Sequence, residues 1–377
     1  MEAYLDNSAT TAPCAQAIEA VHKALATVWG NPSSLHRAGL EAEHLLQESR
    51  GALAAKLGCA PEEIFFTSGG TEANNLALFG AAMAQKRKGR RVVTSAVEHS
   101  SIAESAAELA SRGFEVVYLN VDGDGRVPEQ ELSRLINRDT ILVSLMAVNN
   151  EVGAIQPIDA IRRAVRFAGA PALVHCDAVQ AFGKLPLSPQ RLGVDLLTVS
   201  SHKVHGPKGA GALYIRGGVK LQPMLYGGSQ ENRLRPGTEA MPAIAGFAAA
   251  VRTLPEYQTA HAHVTALRER LLQGLRTMDG VKVNSPADAL PYLTNISLPG
   301  LQSETMLNFL SQRGVYVSSG SACAKGKKSR VLLAMGRSDA EIAGALRISL
   351  SRFTTWEEID AFLFALNEAR LNLARKQ

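Results

Sequence analysis

An α/β fold, built on a mainly parallel seven-stranded sheet and joined to a smaller α+β domain, is what this sequence predicts. Three observations carry it. β-rich apolar runs alternate with amphipathic helical stretches between about residues 63 and 215, the texture changes near residue 254, and several apolar runs stop abruptly at polar residues. The first run, 63–67, centres on Ile64-Phe65-Phe66 and leads into a helical period at 71–88. Next come a strand at 91–95, a helix at 100–112, a strand at 115–119 and a helix at 128–137. The run Ile141-Leu142-Val143-Ser144-Leu145 gives a strand at 140–147, followed by a helix at 159–168. Strands at 172–176, 196–200 and 210–215 complete the seven. Beyond residue 254 a long helical stretch reaches about 278, with short strands at 281–283, 293–298 and 315–317 and helices near 303–313, 339–345 and 355–373. The expected division is a large domain over 13–255 and a small domain formed by 1–12 with 256–377.

Composition narrows the classes of function. Of 377 residues, 46% are apolar and 20% charged, which excludes a disordered chain, a collagen and a coiled coil. Forty basic residues against 35 acidic ones leave a net charge of +5, but no basic block is interleaved with aromatics, so direct nucleic-acid binding is not expected. No window is apolar enough for a membrane span, and the start Met1-Glu2-Ala3-Tyr4 does not read as a signal peptide, so a cytoplasmic protein is expected. Cys14, Cys59, Cys176 and Cys323 are far apart, with no C-x-x-C, which suggests neither a disulfide framework nor a zinc site.

In open α/β sheets ligands bind beyond the carboxyl ends of the strands, so the residues at which apolar runs stop are the ones to read. One run leads to Glu98-His99, one to Asn149-Asn150-Glu151, one ends in Asp177, and one ends in Ser200-Ser201-His202-Lys203. A histidine, an amide, a carboxylate and an amine thus gather at one edge. Pyridoxal phosphate uses such a set: a lysine for its aldehyde, a carboxylate for its ring nitrogen, and backbone donors for its phosphate. Ser68-Gly69-Gly70-Thr71 is a glycine-rich turn between a strand and a helix, the local form that binds phosphate. A metal site drawn from His99, His175, Cys176, Asp177, His202 and His205 is disfavoured, because Cys176 and Asp177 are strand neighbours that face opposite ways and no zinc-binding spacing is present.

The same residues stand in motifs that run nearly the whole chain. These include 4–11 (Tyr-Leu-Asp-Asn-Ser-Ala-Thr-Thr), 67–75 (Thr-Ser-Gly-Gly-Thr-Glu-Ala-Asn-Asn), 148–153 (Val-Asn-Asn-Glu-Val-Gly), 175–180 (His-Cys-Asp-Ala-Val-Gln), Ser201-His202-Lys203, Arg235-Pro236-Gly237-Thr238 and 318–323 (Ser-Ser-Gly-Ser-Ala-Cys). In number, order and spacing the chain resembles the cysteine desulfurases of the NifS/IscS type, which are pyridoxal 5′-phosphate enzymes of fold type I in the class V aminotransferase superfamily.

The resemblance implies that Lys203 holds the cofactor aldehyde, Asp177 pairs with the ring nitrogen, Gln180 donates to the ring hydroxyl and His99 stacks on the ring. It assigns Gly70, Thr71, Ser200 and His202 to the phosphate, with Thr238 arriving from the second subunit of a homodimer. Asn150 falls near cofactor and substrate, Arg347 grips the substrate carboxylate, and Cys323 is the nucleophile that takes sulfur from L-cysteine as a persulfide, releasing L-alanine. A sulfur-acceptor protein is implied as partner, either an iron–sulfur scaffold or a tRNA-thiolation enzyme. The basic run 324–330 after Cys323 and the end at Gln377 depart from many relatives and leave that acceptor open. A selenocysteine lyase or a cysteine sulfinate desulfinase is the alternative on the same fold, and a non-catalytic scaffold is disfavoured because every matched position carries a competent residue.

Overall fold

Seven of the apolar runs pair into one sheet. In the computed structural model, which describes residues 2–319 and 328–374, its strands numbered along the chain are β1 (Ile64–Thr67), β2 (Arg91–Ser95), β3 (Glu115–Leu119), β4 (Thr140–Met146), β5 (Leu173–Asp177), β6 (Leu196–Ser200) and β7 (Gly211–Ile215). Their spatial order is β1-β7-β6-β5-β4-β2-β3. Neighbours from β6 through to β3 are parallel, whereas β7 runs antiparallel to both β6 and β1. The local connections explain the difference. Helices such as Gly70–Gln85, Ser100–Ser111 and Ile158–Ala168 carry the chain back for the next parallel strand, while only a one-turn helix, Ser201–Lys203, and a short loop separate β6 from β7.

Every residue of β4, β5, β6 and β7 is buried, as expected of strands covered on both faces. Chain order reverses between β4 and its neighbour β2, so the loops after these two strands flank a topological switch point. Those loops carry Glu98-His99 and Asn149-Asn150.

The C-terminal third forms a second layer. An antiparallel sheet is ordered Ala345–Ser349, Leu293–Ser297, Lys282–Val283, and a parallel pair joins Ala3–Tyr4 to Val315–Tyr316. A capping box, in which Thr355 and Glu358 satisfy each other's backbone N–H groups, opens the helix Trp356–Asn372. Its Ile359, Phe362 and Leu366 enter the main core.

Differences from the sequence reading are local. Helices Ala15–Ala26, Arg37–Leu57 and Met241–Arg252 were not among the expected ones. Met241–Arg252 is apolar almost all round, so periodicity was weak there. The expected helix at 339–345 ends at Ala343, and Ala345 starts a strand. Gly344 makes this turn possible: a Cβ there would lie 2.3 Å from the Leu298 carbonyl oxygen, so the two backbones approach only because the side chain is absent.

Candidate active site

Strand register brings the predicted groups to one edge. Met146 pairs with Asp177 and Asp177 with Thr198, so the ends of β4, β5 and β6 lie side by side. Asp177 is the last residue of β5 and is buried. One carboxylate oxygen accepts from Asn74 Nδ2 at 2.7 Å and the other from the Val179 N–H at 3.0 Å. Asn74 lies one turn into the helix that starts at Gly70, which explains how a helix on the sheet reaches the end of β5. The same Asn74 amide donates to Ser101 Oγ at 2.9 Å, and that hydroxyl lies 2.8 Å from His99 Nδ1. The Ser101 N–H also donates to His99 Nδ1, so the proton of the neutral ring sits on Nε2. Burial pulls the His99 pKa down, with Lys203 and Arg330 adding to the effect and Asp177 opposing it.

Lys203 follows β6 at the end of the one-turn helix. Its Nζ donates to the carbonyls of Ser8 at 2.5 Å and Ala9 at 2.7 Å. Gln180 Nε2 donates to the same Ser8 carbonyl at 2.9 Å and to Ser8 Oγ at 3.1 Å. Ser8 Oγ in turn donates to the Asn150 carbonyl at 3.1 Å. The segment around Ser8 therefore ties Lys203, Gln180 and Asn150 together. His202 reaches this segment as well, with Nδ1 3.2 Å from Thr10 Oγ1, and its pKa is pushed down to about 4 by burial and then by Lys203.

Gly69, Gly70 and Ser200 form a cradle. Gly69 has φ 156° and ψ −178°, a backbone state that only glycine adopts readily. A Cβ on Gly70 would lie 2.9 Å from Val179 Cγ2 and 3.7 Å from Ser200 Cβ, so the helix start is pressed close to the ends of β5 and β6. Ser200 Oγ is buried with no partner among the described residues. A buried hydroxyl with nothing to bond is costly, and the unpaired N–H groups of the Gly70–Gln85 helix start beside it. These residues fit pyridoxal phosphate: an orphaned hydroxyl and a helix N-terminus for its phosphate, a held carboxylate for its ring nitrogen and an amine for its aldehyde. Thr71 and Thr238 are both exposed.

Arg347 lies on the buried strand Ala345–Ser349. It donates from Nη1 to the Asn150 carbonyl at 3.0 Å and from Nη2 to Asp6 Oδ1 at 2.9 Å, while its Nε is buried without a partner among the described residues. Its guanidinium is thus fixed, with the Nε–H left to donate to a carboxylate. Ser318 exchanges backbone hydrogen bonds with Arg347, and Ser329 donates to Glu151 Oε2 at 2.5 Å. Cys323, the expected nucleophile, lies outside the described residues.

Sequence reasoning gave no role to Asn74, Asp6, Ser8 or Lys184. The helical spacing from Gly70 to Asn74 and from Gln180 to Lys184 was the available signal; no local pattern places Asp6 or Ser8. Side chains weighed as metal ligands have other partners: His175 bridges Ser144 Oγ at 2.8 Å and Thr198 Oγ1 at 3.1 Å, and burial pushes its pKa down to about 3. Cys176 is in the main core, and His205 lies 2.9 Å from the Ala12 carbonyl. Glu98, buried beside β4, accepts from Ser95 Oγ at 2.6 Å and the Met146 N–H at 3.1 Å; burial raises its pKa to about 8, so it is protonated at neutral pH.

The chain is similar to known proteins over nearly its whole length. Residues 3–362 match the family described as Aminotransferase class-V. A cysteine desulfurase IscS from Methanosarcina thermophila is 40% identical over 97% of this chain and 91% of its own length. A solved structure titled NifS-like protein superposes with a TM-score of 0.94 at 40% identity, covering 99% of this chain and all of the other. Another, titled SspA in complex with cysteine, has a TM-score of 0.83 at 32% identity over 94% of this chain and 100% of its own. By the match over residues 3–362 and the 40% identity to NifS/IscS-type proteins over nearly its whole length, this chain belongs to the aminotransferase class-V family, in its NifS/IscS-type branch.

Proposed function

We propose that the chain is a pyridoxal phosphate-dependent cysteine desulfurase that converts L-cysteine to L-alanine and takes the sulfur as a persulfide on Cys323. The observation that carries the site assignment is the convergence of Lys203, Asp177 and the orphaned Ser200 hydroxyl at one sheet edge, to which Arg347 is tied through the Asn150 carbonyl. When bound, the cofactor supplies an electron sink for charge that develops at the substrate α-carbon. Lys203 would hold its aldehyde and would take the α-proton from the substrate. Asp177, held by Asn74 and the Val179 N–H, would set its carboxylate against the ring nitrogen. Gly70, Thr71, Ser200 and His202 would hold the phosphate, Gln180 the ring oxygen, and Asn150 with Arg347 the substrate. His99, kept neutral by burial, exchanges a proton with the substrate thiol. The Cys323 thiolate attacks the substrate sulfur; the carbon–sulfur bond breaks, a sulfur–sulfur bond forms, and the carbon skeleton takes up protons and leaves as alanine.

In this reading, residues 13–255 form the cofactor-binding body and 1–12 with 256–377 carry the substrate clamp and the nucleophile. A cytoplasmic setting and an acceptor protein, of the iron–sulfur scaffold or tRNA-thiolation kind, belong to the same proposal. Among the described residues no helix is long and apolar enough to cross a membrane.

Mass spectrometry tests the sulfur step. After brief exposure to L-cysteine, the peptide containing Cys323 is expected to carry about one extra sulfur atom, removable by a thiol. Cys14 and Cys176 are buried away from the substrate, and burial raises the pKa of half-buried Cys59 to about 12. Persulfide on one of these three instead would refute the assignment.

A homodimer is also proposed, with Thr238 completing the partner's phosphate site. Thr238 is exposed, as are Met224, Leu225 and Tyr226 earlier in the same long loop, and Tyr226 is 80% exposed. Light scattering should give twice the chain mass. A fully active monomer at the same concentration would contradict it.

A further inference from the structure

Lys184 is 8% exposed and stands four residues beyond Gln180. Its Nζ donates to Gln180 Oε1 at 3.1 Å and lies 5.7 Å from the centroid of the Tyr292 ring. Neither partner carries a charge. Arg352 lines the same cavity as Lys184, and the fields of Lys203 and Arg347 add to burial in pushing the Lys184 pKa down to about 7. His202 and His205 face it too, both with pKa pushed to about 4 and so neutral at pH 7. A buried ammonium facing these cations is destabilising unless a negative charge arrives nearby.

The geometry shows where that charge would arrive. As an ammonium Lys184 only donates, so Gln180 presents Oε1 to it, as observed, and Nε2 to the other side. There, Nε2 donates to the Ser8 carbonyl, the same oxygen that accepts from Lys203 Nζ. Gln180 Nε2 and Lys203 Nζ therefore converge on a single atom. In pyridoxal phosphate the ring hydroxyl is ortho to the aldehyde, so a donor to that oxygen must stand next to the lysine that holds the aldehyde. With Lys184 absent, the Gln180 amide could turn and present its oxygen instead.

We propose that Lys184 is a positioning residue, which fixes the Gln180 amide with its NH2 toward the cofactor's ring oxygen and supplies the balancing positive charge one hydrogen bond away. This rests on the reading of Lys203 and Gln180 given above. Lys184 touches neither cofactor nor substrate; it acts through Gln180.

The test is a pH titration of the visible absorption band of the cofactor-loaded protein, with no turnover involved. Lys184→Met should move the midpoint up by about one pH unit, because loss of a nearby positive charge favours the protonated form of the lysine-bound chromophore. Release of the cofactor should also become about tenfold faster, the effect of one charge-assisted hydrogen bond. Lys184→Arg, which keeps charge and donors, should stay near the wild-type midpoint. In a Gln180→Leu background, Lys184→Met should give a smaller shift, since the part carried through the amide is already gone and only the direct field of the charge is lost. An unchanged midpoint in Lys184→Met, or an equal shift with and without Gln180, would overturn the proposal. If Lys184→Met gives no soluble protein, Lys184→Gln carries the same comparison. Wild-type protein that shows no visible band after loading would instead overturn the reading of Lys203 on which the proposal rests.

Discussion

Replacing Lys203 with alanine is expected to lower kcat/KM for alanine formation by at least about 10^4-fold, roughly 5.5 kcal/mol of barrier, because one side chain serves both as aldehyde carrier and as α-proton base. No neighbouring amine can substitute. Lys184 is held by the Gln180 amide. The cofactor should still bind through the Gly70 and Ser200 cradle, so the variant should retain pyridoxal phosphate while lacking the visible band of the lysine-bound form. Borohydride reduction of the wild type followed by peptide mapping checks the assignment. A pyridoxyl group on Lys184 or any lysine other than Lys203 would refute it.

Asp177 variants should separate packing from charge. Asp177→Ala removes the acceptor for Asn74 Nδ2 and the Val179 N–H, leaving two donors unpaired in a buried place. It should weaken cofactor binding and lower turnover by about 10^2–10^3-fold, the scale associated with losing one preorganised electrostatic group. Asp177→Asn keeps a side chain of the same shape and one oxygen acceptor, so its thermal stability should stay closer to wild type. Its turnover should nevertheless fall nearly as far as in the alanine variant, since a neutral amide cannot keep the ring nitrogen protonated. Near-normal turnover in Asp177→Asn would show that the carboxylate serves packing rather than chemistry. Cofactor-binding titrations beside rate measurements distinguish the two.

Much of this arrangement was legible along the chain. The ends of β2, β4, β5 and β6 were read from apolar runs that stop at His99, Asn150, Asp177 and Lys203, and parallel pairing brings those ends to one edge. Strand boundaries moved by a residue or two, as with β5, which includes Asp177 rather than ending before it. Helices of low contrast were harder. Ala15–Ala26 and Met241–Arg252 meet through small residues, as at Ala17 and Ala250, and Met241–Arg252 has no polar face to mark it.

The sequence by itself determined the chemical inventory and the edge at which it gathers: strands carry the lysine, the carboxylate and the phosphate turn, and alternation of strand and helix makes their carboxyl ends coincide. Its order could not reveal which distant groups would orient these residues. Asn74 on Asp177, the Ser8 carbonyl on Lys203 and Gln180, and Asp6 on Arg347 join positions separated by 103, 195, 172 and 341 residues. Such contacts depend on how the N-terminal segment and the second sheet dock, which is set by close packing over the whole molecule rather than by any local pattern. Tertiary structure alone decided them, because a hydrogen bond forms only where folding brings donor and acceptor within about 3 Å and excludes the water that would otherwise compete.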